Sequence, residues 1–236
     1  MPRGPRVNQP HLIYHVMARG NGRMRIFEDD TDYRYFVTQL GEIVEDFEIQ
    51  CWNYCVMPNH YHATLQLTLP NLSRAIQCLN TRYAQHWNKR YAAVGHVFQG
   101  RFKSQVVQRE GYLSCLCRYV ARNPRRANLV DAPEDWEWSS YAATIGLRPP
   151  PSFVNVSATL SLFGPGDEAV LQARFREFVC GEIDRTIDDR LRSADPIVGD
   201  HKFRAGILPR PDAGSIAAHT SDEPSRTSRQ PSRAAS

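Results

Sequence analysis

The chain of 236 residues has no long hydrophobic run: its longest stretch without a formal charge, Ile49 to Ser73, is interrupted by Asn53, Pro58, Asn59, His60 and His62. A bilayer span needs about 20 apolar residues in succession, so none is expected, and a mean hydropathy of −0.49 agrees. Nor does the basic beginning, MPRGPR, carry the apolar stretch and small-residue cleavage site of an export signal. Cysteine is scarce and dispersed. Cys51, Cys55, Cys78, Cys115, Cys117 and Cys180 lie in apolar segments of a chain too large to need disulfide staples, and Cys115-Leu-Cys117 lacks the second pair of a zinc ribbon. Reduced core thiols and a cytoplasmic compartment are the expectation. A hydrophobic fraction of 42% with 10% aromatics in turn excludes a wholly disordered chain.

Acid is what one segment lacks. Between Asn71 and Arg126 the basic residues Arg74, Arg82, Lys89, Arg90, Arg101, Lys103, Arg109, Arg118, Arg122, Arg125 and Arg126 meet a single acid, Glu110. The chain as a whole is only +4, because acids gather in Glu28 to Glu48 and in Asp131 to Asp200. Interleaved with the basic run are Tyr83, His86, Trp87, Tyr91, Phe98, Phe102, Tyr112 and Tyr119. Cations that neutralise phosphates, mixed with rings that stack on bases, compose a surface for single-stranded nucleic acid. The same composition describes a basic helix face over an aromatic core, and composition does not separate the two.

Residues 11 to 19 alternate as a strand and lead into the loop Gly20-Asn21-Gly22. From Thr31, the apolar positions Tyr33, Phe36, Val37, Leu40, Ile43, Val44 and Phe47 recur at helical spacing, with Asp30 or Thr31 as N-cap. Residues 49 to 57 and His60 to Thr68 read as a hairpin around Pro58-Asn59. A second helix is expected from Asn71 to Tyr91, a fourth strand from His96 to Gln108 with an irregularity at Gly100, and a third helix from Glu110 to Asn123. This β-α-β-β-α-β order, followed by a helix, predicts an α+β, ferredoxin-like antiparallel sheet with helices on one face. One compact domain is expected over 1–146. After Pro149-Pro150-Pro151 a small helical extension is expected over 152–204, and the aromatic-free stretch 205–236 is expected to be a disordered tail.

On the third strand His60-Tyr61-His62 places two imidazoles on one face, because the side-chain period is two. Both rings can reach one divalent ion, with Tyr61 turned to the core and an oxygen donor required from elsewhere. An ordinary surface or core role is open to the same pair. On the third helix Tyr119 and Asn123 lie one turn apart on one face. A tyrosine hydroxyl can attack phosphorus, an amide oxygen can ligate a metal, and Arg118, Arg122, Arg125 or Arg126 can balance the added charge. Equally, Tyr119 can be a core aromatic and Asn123 a C-cap before Pro124.

Taken in order, the segments YHVMARGN (14–21), YCVMPNHYH (54–62), GHVFQGRFKS (95–104), RYVARNPRRANLV (118–130) and WEWSSY (136–141) resemble the REP-associated branch of the single-tyrosine HUH transposases. Five motifs in sequence, covering about residues 1–146, make the likeness specific. The resemblance implies a ferredoxin-like endonuclease that nicks single-stranded DNA beside an imperfect hairpin, forms a 5′-phosphotyrosine, releases a 3′-hydroxyl, and reverses the step to rejoin strands using Mg²⁺ or Mn²⁺. It assigns His60 and His62 as metal ligands, Tyr119 as nucleophile and Asn123 as third ligand. Arg82, Lys89, Arg90, Arg101, Lys103, Arg118, Arg122, Arg125 and Arg126 become the candidate DNA contacts. The chain departs from the family in its aromatic Tyr61 between the histidines, and in Pro124, which disfavours helical geometry at Asn123. The partner implied is hairpin-bearing single-stranded DNA, with no membrane and with a homodimer left open. A second tyrosine, Tyr83, stands five residues before Asn88, a spacing that puts the two about 140° apart, poor for one metal site. The competing function is a non-catalytic module that binds single-stranded DNA or RNA on the same sheet.

Overall fold

A computed structural model describes residues 6–207. Strands β1 (Ile13–Arg19), β2 (Ile49–Met57), β3 (His60–Leu67) and β4 (Lys103–Val107) form one antiparallel sheet in the order β2-β3-β1-β4. The two central strands are therefore β3 and β1, the arrangement expected of a ferredoxin-like α+β fold. A fifth strand, β5 (Ile197–Val198), pairs parallel with β4 and extends the sheet.

Two helices, α1 (Asp30–Asp46) and α2 (Leu72–Arg90), cover one face. Phe36, Leu40 and Ile43 of α1, with Ile76, Leu79 and Tyr83 of α2, form one core with Tyr14, Val16, Tyr61, Ala63 and Leu65 of the strands. The opposite face is covered too, by α3 (Leu113–Arg126), α4 (Tyr141–Thr144), α5 (Val156–Leu160) and α6 (Glu168–Cys180). Leu113, Leu116, Val120, Phe175 and Val179 there join Ile13, Trp52, Cys55, Met57 and Val107 in a second core. Helices on one face alone were expected; the outward strand positions are themselves apolar, so both faces require cover. A register shift in β2 between Cys51 and Asn53 lets the consecutive residues Trp52 and Asn53 both serve this second face.

Three local expectations are corrected. The N-cap of α1 is Asp29, whose carboxylate accepts from the Thr31 and Asp32 amides, one residue before the proposed cap. Strand β4 begins only at Lys103: Gly95 and Gly100 sit at φ 101° and 150°, and Phe98 makes one isolated bridge to Gly20. Helix α3 does not stop at Asn123 but runs through Pro124 to Arg126, with Pro124 buried and the Asn123 amide bonded back to the Tyr119 carbonyl.

The remaining elements are α7 (Arg185–Arg192) and α8 (His201–Ile207). Within 152–204 the extension is helical apart from β5, and it packs on α3 and the sheet. Of the tail expected from 205, residues up to Ile207 complete α8 and 208–236 lie outside the described residues. The six cysteines are unpaired, with Cys51, Cys55 and Cys117 buried. Among the described residues no helix is long and apolar enough to cross a membrane.

Candidate active site

Alternation along β3 sends Tyr61 into the α1/α2 core and turns His60 and His62 to the other face, their ring centroids 5.0 Å apart and nearly perpendicular. Helix α3 crosses that face because its apolar positions Leu113, Leu116 and Val120 must be buried against Ile13, Trp52 and Met57. The same packing brings Tyr119 edge-on to His62, centroid to centroid 5.7 Å. Asn123, one turn further, lines the same cleft. Its amide nitrogen donates to the Tyr119 carbonyl at 2.8 Å, which leaves the amide oxygen uncommitted.

This cleft, of about 640 Å³, is also lined by Arg19, Arg101, Lys103, Arg126 and Arg192, with Met17 and Met57 beside the histidines. Among the described residues no carboxylate lines it. An anion is therefore its natural occupant. A neighbouring cleft of about 650 Å³ shares Gly100 and Arg101 with it and is lined by the side-chain amides of Gln77, Asn80, Gln85 and Asn88 together with Phe98 and Phe102.

Burial sets the protonation states. It holds His15 and His60 down at about 4, the second aided by Arg19, and pushes His62 well below the usual imidazole range. At neutral pH all three rings are uncharged and each keeps one lone pair. The Tyr119 phenol is raised by burial, against the opposing pull of Arg126, whose guanidinium lies 5.0 Å over the ring. Tyr119 rests as the phenol, it lines the cleft, and its hydroxyl makes no hydrogen bond to any described residue.

The histidines are held from behind. His60 Nδ1 lies 2.6 Å from Asn59 Oδ1. His62 Nδ1 lies 2.8 Å from Nε2 of His15, and His15 Nδ1 lies 3.1 Å from Oε1 of Gln105. Neither His15 nor Gln105 stood out in the sequence, nor did Arg19 or Arg192. The only signal for the first pair was a polar side chain at the outward position of a strand. What joins them is register: His15 of β1 is directly paired with Gln105 of β4, and its neighbour Met17 with His62 of β3.

The candidate DNA contacts divide. Arg101, Lys103 and Arg126 line the cleft. Lys89 and Arg125 are exposed outside it. Arg126 is also engaged within the protein, with Asp188, as are Arg82 with Glu42 and Asp46, and Arg90 with Asp29 and Asp32, across α1 and α2. Arg118 donates to the Glu182 carbonyl and lies over the Phe178 ring, while Arg122 donates to the carbonyls of Val179 and Gly181. Tyr83 is fully buried on the far side of the sheet, its hydroxyl donating to the Ile26 carbonyl, so it cannot approach His60 or His62.

The set His60, His62 and Asn123 offers two imidazole nitrogens and one neutral amide oxygen; among the described residues no group of three His, Cys, Asp or Glu side chains is arranged to hold a metal ion by itself. Comparisons with known proteins bear on what such a site does. Residues 8–123 match the model of a family described as IS200-like transposases. A solved structure of a REP-associated tyrosine transposase bound to a REP hairpin aligns with 71% of this chain and 93% of its own, at a TM-score of 0.54 and 16% identity. The tRNA(His) guanylyltransferase of Saccharomyces cerevisiae aligns with 78% of this chain and 83% of its own, at 0.41 and 11%. No curated protein sequence matches. At 16% identity the likeness to the transposase structure is one of fold.

Proposed function

We propose that this chain, which belongs through residues 8–123 to the IS200-like transposase family, breaks and rejoins single-stranded DNA beside a hairpin through a covalent bond to Tyr119. The observation that carries the reading is the convergence of Tyr119, His60, His62 and Asn123 on one cleft which, among the described residues, is lined by five cations and no carboxylate. Hairpin DNA is the partner because the solved relative of like fold is bound to one, and because the cleft opens at Gly100 and Arg101 onto a groove of amides and phenyl rings suited to unpaired bases.

In this reading Tyr119 Oη attacks the scissile phosphorus. A Tyr O–P bond forms, the P–O3′ bond breaks, the phenol proton is lost and the departing 3′ oxygen takes one up, leaving a 5′-phosphotyrosine and a 3′-hydroxyl. Rejoining is the reverse. Arg126, over the Tyr119 ring, favours the phenolate that develops as the proton leaves. Arg19, Arg101 and Lys103 hold the flanking phosphates.

The donors present fit a divalent cation. His60 has its Nδ1 committed to Asn59, His62 its Nδ1 committed to His15, and Asn123 its amide nitrogen committed to a carbonyl, so each retains one uncommitted donor atom. Mg²⁺ or Mn²⁺ bound by these three residues would polarise the scissile phosphate as a Lewis acid. With three neutral ligands the site leaves the ion's charge to be balanced by the phosphate itself.

The test is an adduct assay: hairpin-bearing DNA labelled on the 3′ side of the break, incubated with the protein and Mn²⁺, is expected to give a protein-DNA adduct that is absent in Tyr119→Phe. Cleavage without any adduct would place a water, not Tyr119, at phosphorus. Binding without metal-dependent cleavage, indifferent to His60→Ala and His62→Ala, would leave a binding module.

A further inference from the structure

We propose that His15 and Gln105 are positioning residues which set the tautomer of His62, so that the ring nitrogen facing the cleft carries a lone pair. The proposal rests on the reading of His62 as a metal ligand only for its consequence, not for its geometry.

The argument starts at the far end. The Gln105 amide nitrogen lies 2.9 Å from the Asp195 carbonyl, 3.2 Å from that of Ser193 and 3.3 Å from that of Arg190. An amide oxygen placed there would confront three acceptors, so the amide has one tenable orientation, nitrogen toward residues 190–195 and Oε1 toward His15. Because Oε1 can only accept, His15 Nδ1 carries the hydrogen of their 3.1 Å contact. A second proton on His15 would put a cation at a fully buried position that no carboxylate of the described residues contacts. His15 Nε2 therefore holds a lone pair, and it accepts at 2.8 Å from Nδ1–H of His62. That leaves Nε2 of His62 unprotonated. Each link dictates the next, from a turn of the C-terminal extension through β4 and β1 to β3.

Without the acceptor at 105 the chain can invert. His15 is then free to carry its hydrogen on Nε2 and donate to His62 Nδ1, which forces the His62 proton onto Nε2 and removes the lone pair from the cleft. Outer partners of this kind typically change metal affinity by about 10- to 100-fold.

The test uses the full chain, labelled with ¹⁵N-histidine and free of metal, with long-range ¹H–¹⁵N correlations read at neutral pH. In the wild type His15 and His62 are expected as Nδ1–H tautomers, and in Gln105→Met the His62 proton is expected to move to Nε2, with Mn²⁺ affinity falling about 10- to 100-fold by titration. A wild-type His62 protonated on Nε2 overturns the proposal, and that measurement needs no variant to fold. An unchanged His62 tautomer in a folded Gln105→Met protein overturns it as well. If the tautomer moves as expected but neither protein binds Mn²⁺, the relay stands and the metal-ligand reading of His62 falls.

Discussion

The two faces of the sheet are built from the same strands and are put to different uses. Against α1 and α2 the strands present Tyr14, Val16, Ala18, Tyr61, Ala63 and Leu65, a surface almost wholly apolar, closed by Phe27, Phe36 and Tyr83. Against α3 and the extension the alternate positions mix apolar Ile13, Trp52, Cys55, Met57 and Val107 with the polar His15, His62, Thr64 and Gln105, all buried. Every strand side chain that holds a buried polar atom without a partner among the described residues, Trp52, Asn53 and Thr64, belongs to this second face. Such atoms each cost about 1–3 kcal/mol. Both faces thus supply stability, at about 25 cal/mol per Å² of apolar area buried, but the second gives some of it up to hold polar side chains in place. A strand's two-residue period makes the division possible without lengthening the chain.

Tyrosine offers the sharpest way to break this comparison, since one stands on each side. Tyr119→Phe is expected to lower adduct formation by roughly 10⁴-fold or more, as loss of an enzymatic nucleophile does, while leaving the unfolding midpoint nearly unchanged because the hydroxyl makes no bond within the described protein. Adduct in Tyr119→Phe that vanishes in Tyr83→Phe would reverse the roles of the faces. Next in size, Phe36→Ala opens a cavity beneath the apolar face and is expected to cost about 3–5 kcal/mol by denaturant unfolding, with the adduct yield per folded molecule preserved. Smaller again, Tyr83→Phe is expected to cost about 1–3 kcal/mol, by leaving the buried Ile26 carbonyl without its donor, and to keep the activity.

Charge separates the faces as well. Of the cleft cations, Arg126 and Arg192 both pair with Asp188, while Arg19, Arg101 and Lys103 face no carboxylate among the described residues of the cleft lining. Neutralisation of about three phosphates by Arg19, Arg101 and Lys103 gives log affinity against log salt a slope of roughly −2 for a single strand. Arg101→Ala is expected to reduce that slope by about 0.7, and Arg82→Ala, whose partners are Glu42 and Asp46, to leave it alone. Equal changes from both would mean that the α1/α2 side also carries DNA.

Much of the sheet was legible because its signals are local. The hairpin reading of 49–57 and 60–68, the latter by its alternation, and the helical spacing from Tyr33 to Phe47 place those elements within a residue or two. His60, His62, Tyr119 and Asn123 could be named from spacing and from the family resemblance. The rest needed distances across the fold. Nothing local distinguishes His15 from any polar residue on a strand, since its meaning comes from lying between Gln105 and His62 on neighbouring strands. Composition likewise counts Arg90 and Arg118 with Arg101, yet the first two meet the chain's own carboxylates and carbonyls. A +10 segment is read correctly as basic, but its partners are a tertiary fact. Strand β4 was drawn too long for a related reason: Val97 and Phe98 are buried as a strand would bury them, while glycine torsions at 95 and 100 break the ladder.

The smallest effect concerns the clamp that closes the apolar face. Arg90, at the end of α2, bonds Asp29 and Asp32 at the start of α1, and Tyr91 donates to Asp32, which is fully buried. The Arg90 guanidinium holds the Asp29 carboxyl down at about 2, against 3.8 ordinarily. Between those values the unfolded chain binds more protons than the folded one, so stability rises with pH across the window. The contribution of the pair is complete above 3.8 and is lost as the pH falls through about 2. Asp29→Asn keeps a side chain able to cap α1 and removes only the charge. Melting of the two proteins as a function of pH is therefore expected to show the wild type slightly ahead at neutral pH and the curves converging toward pH 2. A gap that persists unchanged at pH 2 would mean that the clamp acts through the cap, and that the apolar face owes nothing measurable to its ion pair.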